Sequence, residues 1–432
     1  MKENFKSIVA LILKLESRLV LWKYKPRIVA ITGTVGKTST KDAAYAMLSK
    51  FYFVRKSEKS YNSEIGLPLT ILGVPNGWTD PYVWIKNIFK GLWLFLWPHK
   101  YPSFLVLEVG VGKPGDMKRT ASWLRTDAVI MTMIGHTPAH IEFFNSREHL
   151  VAEKSILINT LKKEGTLILN TDDEVLRDLL QKSKRRSVTF GFQGGADVAG
   201  SGEQIFYSED SEPKGIIFRV DTEGNSLPVS IEDVFGKNHI YAALAALALA
   251  HSEKLNMITA VSALRSYDFP PGRMRLLHGI KNSVIIDDTY NSSPFACEAA
   301  LNTLGEIKSR KGRKVAVLGD MLELGRHTEE THKKIGELVE KIADILITCG
   351  PRAQFFKEGA LRAGLPADKI FSFSNSRETG DFLKDFVKNG DLFLIKGSQG
   401  VRLERAVESI LEDKGKKGEL LVRQDKEWLR KD

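Results

Sequence analysis

The nine residues Thr32-Gly33-Thr34-Val35-Gly36-Lys37-Thr38-Ser39-Thr40 carry the strongest chemical signal in the chain. An apolar run, Arg27 to Ile31, precedes them, and a segment with Ala43, Ala44, Ala46, Met47 and Leu48 follows. They therefore read as the turn between a buried strand and the N-terminus of a helix. Such a turn aims backbone N–H groups at an anion, while Lys37 supplies a cation for β- and γ-phosphates and Thr38 offers a hydroxyl to Mg2+. The usual nucleotide-binding loop has glycine where this chain has Ile31, which leaves the shorter G-T-x-G-K-T-S form. A chance Gly-Lys-Thr on an ordinary turn is the structural alternative, and the strand before the loop weighs against it.

The chain that must position this loop has 432 residues, 43% hydrophobic and 27% charged, which excludes a disordered or fibrous protein. At roughly 100 to 200 residues per domain, two or three domains are expected. Lys plus Arg exceed Asp plus Glu by 63 to 53, and the net charge of +10 favours an anionic partner. The cysteines, Cys297 and Cys349, make neither a disulfide framework nor a four-thiolate zinc site, so a reducing, cytoplasmic setting is expected.

Short apolar runs alternate with helical segments from Pro26 onward. Strands are predicted at Phe104 to Leu107, Ala128 to Thr132 and Thr166 to Leu169, with a helix from about Arg147 to Leu161. This alternation predicts a doubly wound parallel sheet. Alternating segments between about Asp197 and Val234 predict a small β-layer, and Asn238 to His251 predicts a helix. Past Phe269-Pro270-Pro271-Gly272, strands at Ser283 to Asp287, Lys314 to Leu318, Ile345 to Thr348 and Leu392 to Ile395 predict a second, smaller open sheet. The fold class is therefore α/β: a central P-loop domain, residues 27–270, with a parallel sheet and a small β-layer, then a C-terminal Rossmann-like domain, residues 271–432. The Lys-rich tail from Lys414 is expected to be a solvated end.

Two aromatic stretches stand apart. Phe5, Ile8, Ile12, Leu15, Leu19 and Trp22 recur at helical spacing within an N-terminal segment, residues 1–26, and Trp84, Phe89, Trp93, Phe95 and Trp97 fall in an insertion, residues 76–102. Charges interrupt both, so neither offers the roughly 20 apolar residues of a spanning helix, and no secretory signal is expected. Packing against the body of the protein and contact with a membrane surface are both open.

Further strings follow the phosphate loop in order. They are Asn62-Ser63-Glu64-Ile65-Gly66-Leu67-Pro68, Leu107-Glu108-Val109-Gly110, Ala139-His140-Ile141-Glu142, Val151-Ala152-Glu153-Lys154 and Leu169-Asn170-Thr171-Asp172-Asp173. Later come Ile286-Asp287-Asp288-Thr289-Tyr290-Asn291, Leu318-Gly319-Asp320-Met321-Leu322-Glu323 and Lys396-Gly397-Ser398. From about Arg27 onward this series resembles the Mur ligases, and its last three strings resemble the MurF type. The resemblance implies an ATP-dependent enzyme that joins a carboxylate to an amine through an acyl phosphate, acting on a peptidoglycan-like peptide precursor. Two anions must be brought together, which calls for cations and fixed positioning.

The resemblance also implies roles. Gly33, Thr34, Val35, Gly36, Lys37, Thr38 and Ser39 hold the ATP phosphates; Thr38 and Glu108 hold a first Mg2+; His140 and a CO2-carbamylated Lys154 serve a second. Arg273 reaches the γ-phosphate, and Asp288, Tyr290, Asn291, Asn238 and His239 line the nucleoside. Lys37, Lys154, His140 and Arg273 form the catalytic group, while Asn62, Lys396 and Ser398 face the substrate. A structural histidine, a surface lysine on a helix and a solvated strand-end carboxylate are the alternatives for His140, Lys154 and Glu108. The partners implied are a small-molecule or peptide precursor and an amino acid or dipeptide, with no nucleic acid, and the enzyme is expected to be a monomer.

Some strings depart from the pattern. Gly236-Lys237-Asn238-His239-Ile240-Tyr241-Ala242 exchanges His and Asn relative to the family string, and Met133 stands where asparagine is usual. Only 26 residues precede the first strand, where MurF enzymes place a domain that holds the UDP-muramoyl precursor, so the precursor is expected to lack that handle or be gripped elsewhere. Another Mur-fold ligase, such as a poly-γ-glutamate synthase-like enzyme, and a silent nucleotide-binding scaffold are the competing readings.

Overall fold

The computed structural model describes residues 3–58, 61–78, 80–135, 143–144, 146–265, 269–308 and 312–430. The first sheet contains β1 (Arg27–Thr32), β2 (Val54–Lys56), β3 (Phe104–Glu108), β4 (Thr126–Met131), β5 (Leu161–Asn170), β6 (Ser187–Gly191), β7 (Val198–Tyr207), β8 (Pro213–Thr222) and β9 (Asn225–Glu232). Their order is β2-β3-β1-β4-β5-β6-β7-β8-β9. The strands from β2 to β7 pair in parallel, and β7, β8 and β9 pair antiparallel. The β-layer expected near residues 197–234 is thus the edge of this same sheet. β1 and β3 are buried almost throughout because helices cover both faces, whereas β8 alternates buried and exposed residues, as an antiparallel edge with one wet face does.

The second sheet joins β10 (Arg275–Gly279), β11 (Ser283–Asp288), β12 (Lys314–Gly319), β13 (Ile345–Cys349), β14 (Ile370–Phe373) and β15 (Leu392–Lys396) in the order β10-β11-β15-β12-β13-β14. Only the β10–β11 pair is antiparallel.

Around the first sheet lie α1 (Glu3–Tyr24), α2 (Lys37–Leu48), α3 (Gly66–Leu72), α4 (Pro81–Leu96), α5 (Asp116–Ala121) and α6 (Arg147–Ser155). The alanine-rich helix Lys237–Ser252 is buried nearly throughout and packs on α2, small side chains allowing close approach. Where one helix was expected to run to Leu161, α6 ends at Ser155; a 3-10 turn, Ile156–Thr160, follows, and β5 starts five residues earlier than Thr166. The Thr126 and Thr160 hydroxyls, 2.9 Å apart, tie that turn to β4. The tail also differs from the solvated end expected: residues 412–419 are exposed, but Leu421, Val422 and Arg423 are buried.

α1 and α4 pack against each other. The Lys23 ammonium donates to the carbonyls of Phe95 at 2.6 Å and Trp97 at 2.7 Å, capping the end of α4 where carbonyls lack helical partners. Gly91 lets the two helices meet, since a Cβ there would lie 2.2 Å from the Glu16 carboxylate. Trp84, in the aromatic stretch, is only 2% exposed and belongs to the core, its indole N–H donating to the Trp78 carbonyl at 3.1 Å. No helix among the described residues is long and apolar enough to cross a membrane.

Candidate active site

The loop after β1 takes its shape from two glycines. Gly33 has φ +150°, and a Cβ there would lie 2.0 Å from the Thr132 hydroxyl oxygen; Gly36, at φ +84°, turns the chain into α2. The first helical hydrogen bond of α2 runs from the Thr40 N–H to the Gly36 carbonyl at 2.9 Å. Amides before it point out of the helix end, where an anion is stabilised. The N–H of Thr34 is already engaged, donating to the Met133 carbonyl at 2.6 Å.

Register brings a carboxylate beside the loop. Glu108, the last residue of β3, pairs with Ile31 of β1 and is 1% exposed. Its Oε1 accepts from the Asn62 amide at 3.2 Å, and its Oε2 lies 3.8 Å from the Lys41 ammonium with no hydrogen-bond donor among the described residues. A buried carboxylate oxygen without a donor, lining the same cavity as Thr38, is a hard-oxygen environment that fits Mg2+.

Lys37 is half-buried, and its ammonium donates to the Thr34 carbonyl at 3.1 Å. Burial lowers its pKa, the Glu108 carboxylate opposes that shift, and Arg273 adds to it. Lys154, on α6, is buried behind the loop with its Nζ 3.0 Å from the Gly33 carbonyl oxygen. Burial first and the Lys37 cation second hold it well below the usual lysine range.

The second sheet closes the site from the other side. Arg273, just before β10, donates to the Thr38 hydroxyl at 3.0 Å and stacks on the Tyr290 ring at 4.0 Å. Asp288, at the end of β11, is engaged on both oxygens, accepting from the Met274 N–H at 3.2 Å and pairing with the buried Lys396 ammonium at 2.6 Å. Lys396 also donates to the Asn291 carbonyl, and the Ser398 hydroxyl accepts from the Leu322 N–H while donating to the Ser292 carbonyl. These two, expected to face substrate, hold the Asn291 and Ser292 carbonyls of the loop after β11. Buried His239 binds the Arg273 carbonyl through Nε2 at 2.7 Å, and burial pushes its pKa down to about 4. Asn238 is the more open of the pair.

A cavity of about 540 Å³ collects Thr34 through Ser39, Asn62, Glu108, Asn238, His239, Arg273, Asp288, Tyr290, Asn291, Lys396 and Ser398. Gly33 and Lys154 lie behind this wall and outside the cavity lining. His140 and its string lie outside the described residues. Asp172 and Asp173 are structural: Asp173 caps the helix Glu174–Lys182 and accepts from the Ile134 and Gly135 N–H groups, while Asp172 accepts from the Tyr241 hydroxyl at 2.8 Å.

Sequence reasoning passed over three contributors. Lys41 sits one turn after Lys37 on the same face of α2, a spacing visible in the sequence. Arg423, from the tail, donates to the carbonyls of Thr289 and Tyr290 and to the Glu404 carboxylate, and Trp428 from the same tail lines the cavity. Nothing in the spacing of the tail announces this, because it depends on the tail folding back across the second sheet.

The family comparisons agree with this geometry. The model of the Mur ligase middle domain matches residues 31–84 and 91–250, and that of the Mur ligase glutamate ligase domain matches residues 272–399. The UDP-N-acetylmuramoyl-tripeptide–D-alanyl-D-alanine ligase of Bacillus subtilis is 30% identical over 388 residues, covering 89% of this chain and 76% of that protein. The Escherichia coli ligase of the same name is 25% identical over 390 residues, covering 90% and 77%. The crystal structure of the MurF ligase from Thermotoga maritima in complex with ADP superposes with a TM-score of 0.75 at 26% identity, covering 93% of this chain and 83% of that one. A nucleotide loop at the end of β1, a buried carboxylate beside it and an arginine brought in by a second sheet are arranged on a fold shared along the whole match: the chain belongs to the Mur ligase family and is an ATP-dependent acid–amino-acid ligase.

Proposed function

We propose that the enzyme acts as a MurF-type ligase, joining a D-alanyl-D-alanine-like dipeptide to the terminal carboxylate of a muramoyl-peptide precursor. The observation that carries this reading is the Arg273 guanidinium, 3.0 Å from the Thr38 hydroxyl, which sets a cation from the second sheet over the phosphate loop. The names of the similar ligases supply the substrate class.

In the proposed reaction a precursor carboxylate oxygen attacks the γ-phosphorus of ATP, the bond to the β-phosphate oxygen breaks, and ADP leaves. The amine then adds to the acyl carbon and loses a proton, and phosphate departs with the former carboxylate oxygen. Lys37 and the loop amides hold the phosphates in line, Arg273 meets charge growing on the transferred group, and Lys41 balances Glu108. Thr38 and Glu108 would hold Mg2+, which supplies charge neutralisation between the phosphate oxygens when bound. Lys154, whose pKa burial and the Lys37 cation hold well below the usual lysine range, would take up CO2 as a carbamate, the N–C bond forming as the amine loses a proton. His140 remains a proposed metal ligand by resemblance. The division into residues 1–26, 27–270 and 271–432 belongs to the same proposal, supported by the two separate sheets. So does a monomeric enzyme on the cytoplasmic side, where ATP is available and both buried cysteines stay reduced.

The test is phosphate release from ATP by the full chain. UDP-muramoyl-tripeptide and D-alanyl-D-alanine together should give release, either alone should give little, and Lys37→Ala should stay silent. Equal release without the amine would overturn the ligase assignment.

A further inference from the structure

The outward faces of α1 and α4 are apolar, which reverses the ordinary pattern of a surface helix. On α1 the exposed residues Ile8, Leu11, Leu15, Leu19 and Trp22 recur at intervals of three and four, while Val9, Leu13, Ser17 and Val20 face inward. On α4 the exposed residues Tyr82, Ile85, Phe89, Leu92 and Leu96 make a second stripe, with Trp84, Asn87 and Gly91 inward. Glu16 beside Gly91 and Lys23 beside Leu94 to Trp97 show that the helices run side by side in the same direction, so the stripes are neighbours. Of 21 large apolar side chains exposed among the described residues, 12 belong to these two helices and the adjoining Trp97. That concentration makes a patch rather than scattered surface residues.

The charges on these helices are one-sided. From Ser7 to Tyr24 and along α4 the one acidic residue is Glu16, which is buried, against Lys14, Arg18, Lys23, Lys86 and Lys90. At the C-terminal end of α1 a cavity of about 590 Å³ opens beside Trp22, its charged lining being Arg18, Lys25, Arg125 and Lys162. Lys162 pairs with Asp127 at 2.8 Å; the other three make no ion pair among the described residues. Trp22, 71% exposed, belongs both to the apolar stripe and to this cationic cavity. An occupant that suits both is apolar in one layer and anionic in the next.

We propose that α1 and α4 lie in the interface of an anionic phospholipid bilayer, with lipid phosphates held by Arg18, Lys25 and Arg125. Apolar side chains enter the acyl boundary, the indoles of Trp22, Trp93 and Trp97 sit at headgroup level, and the net positive charge of this face favours an anionic surface. The enzyme is thereby held at the membrane. This inference is independent of which carboxylate and amine the ligase joins.

Cosedimentation of the full chain with phosphatidylcholine vesicles, with and without phosphatidylglycerol, tests it. The wild type should pellet with the anionic vesicles and release as salt is raised. Trp22→Ser/Phe89→Ser/Trp93→Ser, all at exposed positions, should weaken binding at least about tenfold while melting temperature and ATP-dependent phosphate release in solution stay unchanged. Arg18→Gln/Lys25→Gln/Arg125→Gln should lose most of the preference for anionic vesicles. A folded wild type that fails to pellet at low salt overturns the proposal, as do equal pelleting of all three proteins and a wild-type dimer in sedimentation equilibrium that the tryptophan variant abolishes. That last result would make a second copy of the chain the occupant of the face.

Discussion

Lys37 and Lys154 flank one loop, and their surroundings differ. Lys37 opens onto the nucleotide cavity, with the Glu108 carboxylate opposing the loss of its proton, whereas Lys154 is enclosed against the Gly33 carbonyl and pushed toward the neutral amine by burial and by Lys37 itself. Lys154→Ala should therefore lower ligase turnover at least about a hundredfold. Added acetate or another short carboxylic acid should restore part of it, by placing an anion where the carbamate oxygens would lie. Turnover that stays low at all acid concentrations, in a variant that melts like the wild type, would leave Lys154 as a support for Gly33 alone. Chain-local features were legible at this scale: Gly33, Gly36, Lys37 and Thr38 announce themselves because a loop of fixed shape dictates residue types at fixed spacing. Lys396 and Asp288 were found as a pair of strings, but not as partners of each other, because their ion pair is made by the parallel register of β11 and β15, which brings together residues 108 apart.

Elements were legible wherever burial was uniform. β1, β3 and β12 read as apolar runs because helices cover both their faces, and the alanine-rich helix Lys237–Ser252 likewise. The tail was misread because its lysines suggested solvent, while its fold rests on the buried cluster of Arg402, Glu404 and Arg423. Arg423→Ala should cost about 2 to 3 kcal/mol of stability and raise the KM for ATP several-fold with a smaller change in kcat, because the residue holds the Thr289 and Tyr290 carbonyls rather than the reacting phosphate. Denaturant melts and initial rates check both. The α1–α4 pair has its own signature. Burial raises the Glu16 pKa from 4.5 to about 7, so between these values the folded state binds more protons than the unfolded one. Stability should then fall as pH rises from about 4.5 to about 7, by on the order of 2 kcal/mol, and level off above. Glu16→Gln should make that slope shallower, and an unchanged slope would place Glu16 in contact with water.

At the scale of the whole molecule, activity depends on two sheets meeting over one loop. Two α/β sheets were legible from the alternation of strands and helices, and the order of strings fixed which residues belong together. The distance between them was not, since no pattern within either sheet reports how closely Arg273 approaches Thr38. Arg273→Ala should lower kcat far more than ATP affinity, because a group delivered from the second sheet acts on charge that grows during transfer. Equal losses would make it a contact of the ground state. The central claim is that a carboxylate is activated by direct phosphorylation at this loop. It is tested most directly by labelling both terminal carboxylate oxygens of UDP-muramoyl-tripeptide with oxygen-18, supplying ATP and D-alanyl-D-alanine, and weighing the phosphate released. One labelled oxygen in each released phosphate, with one retained in the new amide, is the predicted result; amide formed with unlabelled phosphate would contradict it.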